Sequence, residues 1–93
     1  MSKVNVTITA TLSEGVDVYS ITVHDKRLEM TNDRGSIRLD SPGNYRVTYQ
    51  FVGTGGDTLS ISATTQGKTF TVVNKSTIPS GEHAGVGRAK IAI

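Results

Sequence analysis

The sequence predicts an all-β fold, an antiparallel β-sandwich of seven to eight short strands, with a small closed β-barrel as the alternative. Three observations carry this. Apolar residues recur at every second position in successive short runs, and no stretch shows the spacing of an amphipathic helix. Thr, Val, Ile and Ser dominate, which suits pleated, half-buried strands. Glycines fall between the apolar runs, where they mark turns.

The elements follow in order. Val4, Val6, Ile8, Ala10 and Leu12 alternate with Lys3, Asn5, Thr7, Thr9 and Thr11, the cleanest period-two run, and Ser13-Glu14-Gly15 ends it. Tyr19, Ile21 and Val23 form the inward face of a second strand, closed by a tight turn at Asp25-Lys26. Leu28 and Met30 make a short third strand before the turn signal Asn32-Asp33-Arg34-Gly35, and Ile37 and Leu39 a fourth. Asp40-Ser41-Pro42-Gly43-Asn44 turns the chain into Gly43–Val52, the expected central strand. There Tyr45, Val47, Tyr49 and Phe51 share the inward face, and the stretch holds three of the five aromatics. Gly53–Asp57 reads as a flexible hairpin loop. Leu59, Ile61 and Ala63 lead through Gln66-Gly67 to Phe70 and Val72. Asn74–Gly87 reads as a long polar loop, and Ala89, Ile91 and Ile93 as the last strand.

Parity tests the register. Leu39 facing Tyr45 sets Ile37 against Val47, and Phe51 facing Leu59 sets Tyr49 against Ile61. Ala63 facing Phe70 sets Ile61 against Val72, and the same test pairs Ala10 with Tyr19, Val23 with Leu28, and Met30 with Ile37. A one-residue slip would expose each set, so the faces are strongly specified. Every link is compatible with a hairpin or with a crossing between two sheets.

Gly43-Asn44-Tyr45-Arg46-Val47-Thr48-Tyr49 resembles the G-x-Y-x-V-T-Y strand of bacterial immunoglobulin-like extracellular modules. A tyrosine just after a turn is also similar to the tyrosine corner of such sandwiches. The resemblance spans seven of the 93 residues, and implies an immunoglobulin-like sandwich of the surface or secreted kind. Those modules usually occur as tandem repeats, and this chain shows no internal repeat.

Composition mostly removes functions. The expectation is one domain, residues 1–93. With no cysteine, neither a disulfide nor a thiolate metal site is available. The start Met-Ser-Lys-Val-Asn-Val has no long apolar run, so no signal peptide is expected in it, and no stretch approaches the ~20 apolar residues of a membrane span. A net charge of +2 is too small to argue for nucleic acid. Sugar and single-stranded nucleic-acid platforms rely on exposed aromatics, whereas all five here lie at or near inward parity. Nucleophilic catalysis lacks a thiol, a nucleophile elbow and a Ser/His/Asp set on one face. Gly53-Thr54-Gly55-Gly56-Asp57 offers backbone N–H groups to a phosphate, but no helix follows to reinforce it.

Candidate binding residues fall in two places. Arg38 and Arg46 are expected directly opposite each other on an outer, hydroxyl-rich face, a like-charge pair that an anion or an acidic partner would relieve. Glu82 and His83 form an acid–imidazole pair on the expected long loop that Arg88 follows, whereas His24 beside Asp25 is expected to flank a turn. Neighbouring side chains on extended backbone point apart and no third ligand is suitably spaced, so no metal or cofactor is expected. The leading expectation is a non-enzymatic interaction or structural module, a bacterial surface or secreted antigen, binding through loops or through the edges of its first and last strands. Its partner is expected to be a protein, with a glycan or small anion behind it. A carbohydrate-binding module using polar loops is the alternative, and a small hydrolase the least supported reading.

Overall fold

The computed structural model describes residues 2–93. Eight strands follow one another: β1 (Ser2–Leu12), β2 (Val18–Val23), β3 (Lys26–Arg27), β4 (Arg34–Ser41), β5 (Asn44–Val52), β6 (Thr58–Thr65), β7 (Lys68–Thr77) and β8 (Ala84–Ala92). They form two antiparallel four-stranded sheets, a first in the order β4-β1-β6-β7 and a second in the order β3-β2-β5-β8. The sheets pack face to face as a sandwich and do not close into a barrel.

The period-two faces place the core. Val6, Ile8 and Ala10 of β1, Ile37 and Leu39 of β4, and Leu59, Ile61 and Ala63 of β6 are buried from the first sheet. Ile21, Val23, Val47, Phe51 and Ile91 meet them from the second. Each of these strands has one apolar face, and stacking the two faces removes both from water.

The faces match the expected parity, but several pairings differ. The links 13–17, 42–43 and 53–57 are crossings between sheets, so Leu39 does not pair with Tyr45, Phe51 with Leu59, or Ala10 with Tyr19. Leu39 pairs with Val4, Tyr45 with Ile91, Phe51 with Tyr19 and Gly85, and Leu59 with Leu12. A crossing keeps the apolar face inward as well as a hairpin does, so parity cannot separate the two. Ala63 does pair with Phe70, but Ile61 meets Val73 rather than Val72 because β7 carries extra residues at two register shifts.

The β2–β3 and β6–β7 hairpins, and the isolated Thr31–Arg34 bridge that opens β4, use tight turns with both central residues at positive φ, the type I′ geometry that matches strand twist. They are His24-Asp25 (51° and 65°), one residue before the expected turn, Asn32-Asp33 (53° and 62°), and Gln66-Gly67 (52° and 76°). Leu28 is buried and its N–H bonds Ile21 O, but only Lys26–Arg27 forms a strand here, and Met30 does not pair with Ile37. The corner between β4 and β5 is held by Tyr45, whose hydroxyl donates to the Asp40 carbonyl at 2.7 Å.

The long loop expected over Asn74–Gly87 is much shorter. Residues 74–77 continue β7, and residues 84–87 open β8, leaving 78–83 as the link. Asn-Lys-Ser-Thr reads as polar because it lies on an edge strand. Gly85 and Gly87 read as loop because they carry no inward side chain, and that space is filled by their neighbours. A Cβ on Gly85 would lie 2.6 Å from Phe51 Cε1, and one on Gly87 would collide with the Tyr49 hydroxyl.

Candidate functional site

The outward positions of the second sheet bring together most of its basic residues. On β5 and β8, Arg46 lies opposite Lys90, Thr48 opposite Arg88, and Gln50 opposite Val86. On the other side of β5, Thr48 meets Thr22, and Thr22 meets Arg27 on β3. A row Arg27–Thr22–Thr48–Arg88 therefore crosses the whole sheet. About 7 Å along the strands lies the next row, Arg46 with Lys90. No outward position of these four strands is acidic. Among the described residues the single ion pair is Lys3–Asp40, at 3.7 Å on the first sheet.

The backbone sets how close Arg46 and Lys90 come. His24 N–H donates to Arg46 O at 3.0 Å, so the polar groups of Arg46 face β2. Arg46–Lys90 is thus a non-hydrogen-bonded pair, the kind with Cα atoms only about 4.5 Å apart. Like charges there are mildly destabilising unless something negative answers them.

The opposite end of the same face is apolar. Val18, Val52 and Val86 are 62 %, 41 % and 73 % exposed, and they are the large hydrophobic side chains most open to water among the described residues. Val18 and Val52 face each other directly, and Val86 lies on β8 opposite Gln50. Between the two ends runs a shallow depression lined by Ser20, Thr22, Thr48, Gln50, Gly87 and Arg88.

The expected site residues separate accordingly. Arg46 and Arg88 share this face. Arg38 does not oppose Arg46: it sits on β4 in the first sheet, opposite Asn5, because the chain crosses between sheets at Pro42-Gly43. The like-charge pair inferred from parity exists, with Lys90 in place of Arg38. Lys90 lay in the expected last strand but was missed because parity assigned that strand no partner. Glu82 and His83 are exposed in the 78–83 link, where the backbone does the work: Glu82 N–H bonds Pro79 O, and Gly53 N–H bonds His83 O. Among the described residues no three His, Cys, Asp or Glu side chains gather to hold a metal ion. His24 packs edge-on against Tyr45, with ring centroids 5.2 Å apart.

The outer face of the first sheet carries hydroxyls at its centre, with Arg34, Arg38 and the Lys3–Asp40 pair along its β4 side. Ser36, Thr7, Thr64 and Thr69 form one cross-strand row, and Arg34, Thr9, Ser62 and Thr71 the next. The Thr64 and Thr69 hydroxyls bond each other at 2.8 Å, and Ser60 Oγ donates to Asn74 O at 2.6 Å, so part of this array is already satisfied.

Gly53–Asp57 is neither a flexible hairpin nor an open phosphate cradle. It crosses between sheets, and the Asp57 carboxylate occupies the cradle itself. Thr54 N–H and Thr54 Oγ1 donate to Oδ2 at 2.8 and 3.0 Å, and Ser13 Oγ donates to Oδ1 at 2.8 Å. These bonds, led by the Thr54 N–H and helped by Gly15 N–H, hold the Asp57 carboxyl below the usual carboxylate range. A depressed pKa stabilises the fold above the unfolded value of about 3.9, and that contribution is lost as pH falls through the lower folded value. Asp57→Ala is expected to lower Tm by roughly 5 °C at pH 7. The difference from the parent should shrink below about pH 4, as thermal melts by circular dichroism across pH 2–7 would show. Across the same end of the sandwich, Tyr19 donates to Asp33 Oδ1 at 2.8 Å. Its phenol is pushed up to about 12, first by lost hydration and then by the Asp33 carboxylate.

No protein-family model, curated protein or solved structure matches the chain.

Proposed function

We propose that the protein is a non-enzymatic interaction module that binds an acidic protein partner on the outer face of its second sheet. The observation that carries this is the Arg46–Lys90 pair with Arg88 beside it, a closely spaced cationic group on a face without any acid. Such an arrangement favours the complex because the partner's carboxylates relieve repulsion present in the free protein. The exposed Val18, Val52 and Val86 add the apolar contact that a purely electrostatic encounter lacks. The immunoglobulin-like, surface or secreted character is part of the same proposal. It is supported by the Gly43–Tyr49 resemblance and by Tyr45, which bonds backbone five residues upstream as a tyrosine corner does.

Fluorescence anisotropy with labelled poly-L-glutamate tests the reading. Binding is expected to weaken as salt rises, and Arg46→Glu to weaken it at least ~10-fold with the fold intact, since Arg46 is exposed. Arg38→Glu, on the other sheet, should leave it unchanged. Equal loss from both substitutions, or none from Arg46→Glu, would place the interaction elsewhere.

A further inference from the structure

We propose that β8 is a docking edge, and that an extended acidic segment of a partner protein joins the second sheet there as a fifth strand. This rests on the reading of the outer face given above and specifies how the partner engages it.

The hydrogen-bond phase of β8 carries the argument. Gly43 and Ile93 exchange both backbone bonds, at 2.7 and 2.9 Å, and Gly53 N–H bonds His83 O at 2.9 Å. Both pairs continue the β5–β8 register, in which the odd residues of β8 bond β5. Val86, Arg88 and Lys90 therefore turn their N–H and C=O groups away from β5, toward the open edge. Among the described residues no backbone hydrogen bond joins β8 to β7, the nearest edge of the other sheet. The same three residues point their side chains onto the basic and apolar outer face.

The other edges are less suited. β7 is interrupted by two register shifts, a feature that blunts an edge, and β3 is two residues long. On β4 the Arg34 backbone groups are taken by Thr31, in bonds of 2.8 and 3.1 Å. β8 runs nine residues with unbroken register against β5.

Charge selects the occupant. A strand paired with β8 sets its alternate side chains beside Arg88 and Lys90, so two acids at i and i+2 are matched by two cations. A second copy does not fit. β8 carries no acid to answer Arg88 and Lys90, and no strand of this chain presents two outward acids at that spacing. On the inner side the added strand meets Gly87, already covered by the Tyr49 ring, and the small side chain of Ala89. Main-chain bonds would supply affinity and the alternating pattern specificity.

The probe is a labelled peptide of alternating Glu and Val, compared with the same peptide N-methylated at every second amide and with an alternating Lys and Val control. Hydrogen exchange of the protein is followed by NMR. Expected are selective binding of the Glu peptide, loss of at least ~10-fold on methylation in the phase that faces β8, and slowed exchange at Val86, Arg88 and Lys90. Val86→Pro removes an edge N–H without touching a charge, and should weaken binding similarly while melting like the parent. Binding that is indifferent to methylation, with no protection at those three amides, overturns strand addition and leaves the acidic-partner reading in place. Failure of the Glu peptide and of poly-L-glutamate alike overturns both.

Discussion

Phe51→Ala is expected to destabilise the fold by about 3–5 kcal/mol, against a total near 5–15 kcal/mol for a domain of this kind. Phe51 is fully buried at the centre of the second sheet, paired with Tyr19 on one side and Gly85 on the other. Truncation removes the ring from the core, and it also uncovers Gly85, whose missing side chain the ring replaces. Urea unfolding at constant m-value measures the loss. The arrangement makes a sharper prediction about the pair. Gly85→Ala alone should cost about 1–3 kcal/mol, since its Cβ would lie 2.6 and 2.8 Å from Phe51 Cε1 and Cζ. In the Phe51→Ala background the same methyl has room, so the two losses should fall short of additivity by about 1 kcal/mol or more. Strict additivity would mean that the ring does not cover the glycine.

Ile78→Ala should be nearly as damaging, at about 2–5 kcal/mol, although Ile78 belongs to no strand. Its side chain is fully buried at the end of the sandwich. Its N–H bonds Asp57 O and its C=O accepts from Gly56 N–H, each at 2.9 Å, so the side chain is held in place from both flanking directions. Neighbouring Pro79 is exposed, and Pro79→Ala should change stability by well under 1 kcal/mol. A loss below 1 kcal/mol for Ile78→Ala in the same urea titration would show that the end of the core collapses around the vacancy.

The contrast between these residues shows what the sequence made readable. Phe51 stood in a clean alternating run, and period two fixes which face such a residue takes. Ile78 stood alone between polar residues, where periodicity has nothing to act on. Gly85 and Gly87 were opaque for a related reason: their contribution is an absence that rings on β5 fill, so the first half of β8 resembled a loop. The strand faces were legible and the strand partners were not, because inward parity survives both a hairpin and a crossing. That one ambiguity accounts for the candidate site as well. Arg46 was correctly placed on an outer face, but the pair expected there was wrong. Its neighbour was assigned as Arg38 on the preceding strand, when the crossing at Pro42-Gly43 carries Arg38 to the other sheet and leaves the position to Lys90. Arg88 was found through its proximity to the loop, and its actual relation to Arg46 runs through Thr48.

The strand order also dictates when the fold can finish. Only β2–β3 and β6–β7 are hairpins between consecutive strands, while β5 waits for β8 and β1 waits for both β4 and β6. A topology so dependent on distant pairings folds in milliseconds to seconds rather than microseconds. Until residues 84–92 have left the ribosome, β5 lacks a neighbour on one side, and the rings of Tyr49 and Phe51 have no glycine backbone to lie against. During synthesis, the nascent chain therefore displays a half-paired aromatic strand until its last strand has emerged, and that interval leaves it open to chaperone capture or misassociation.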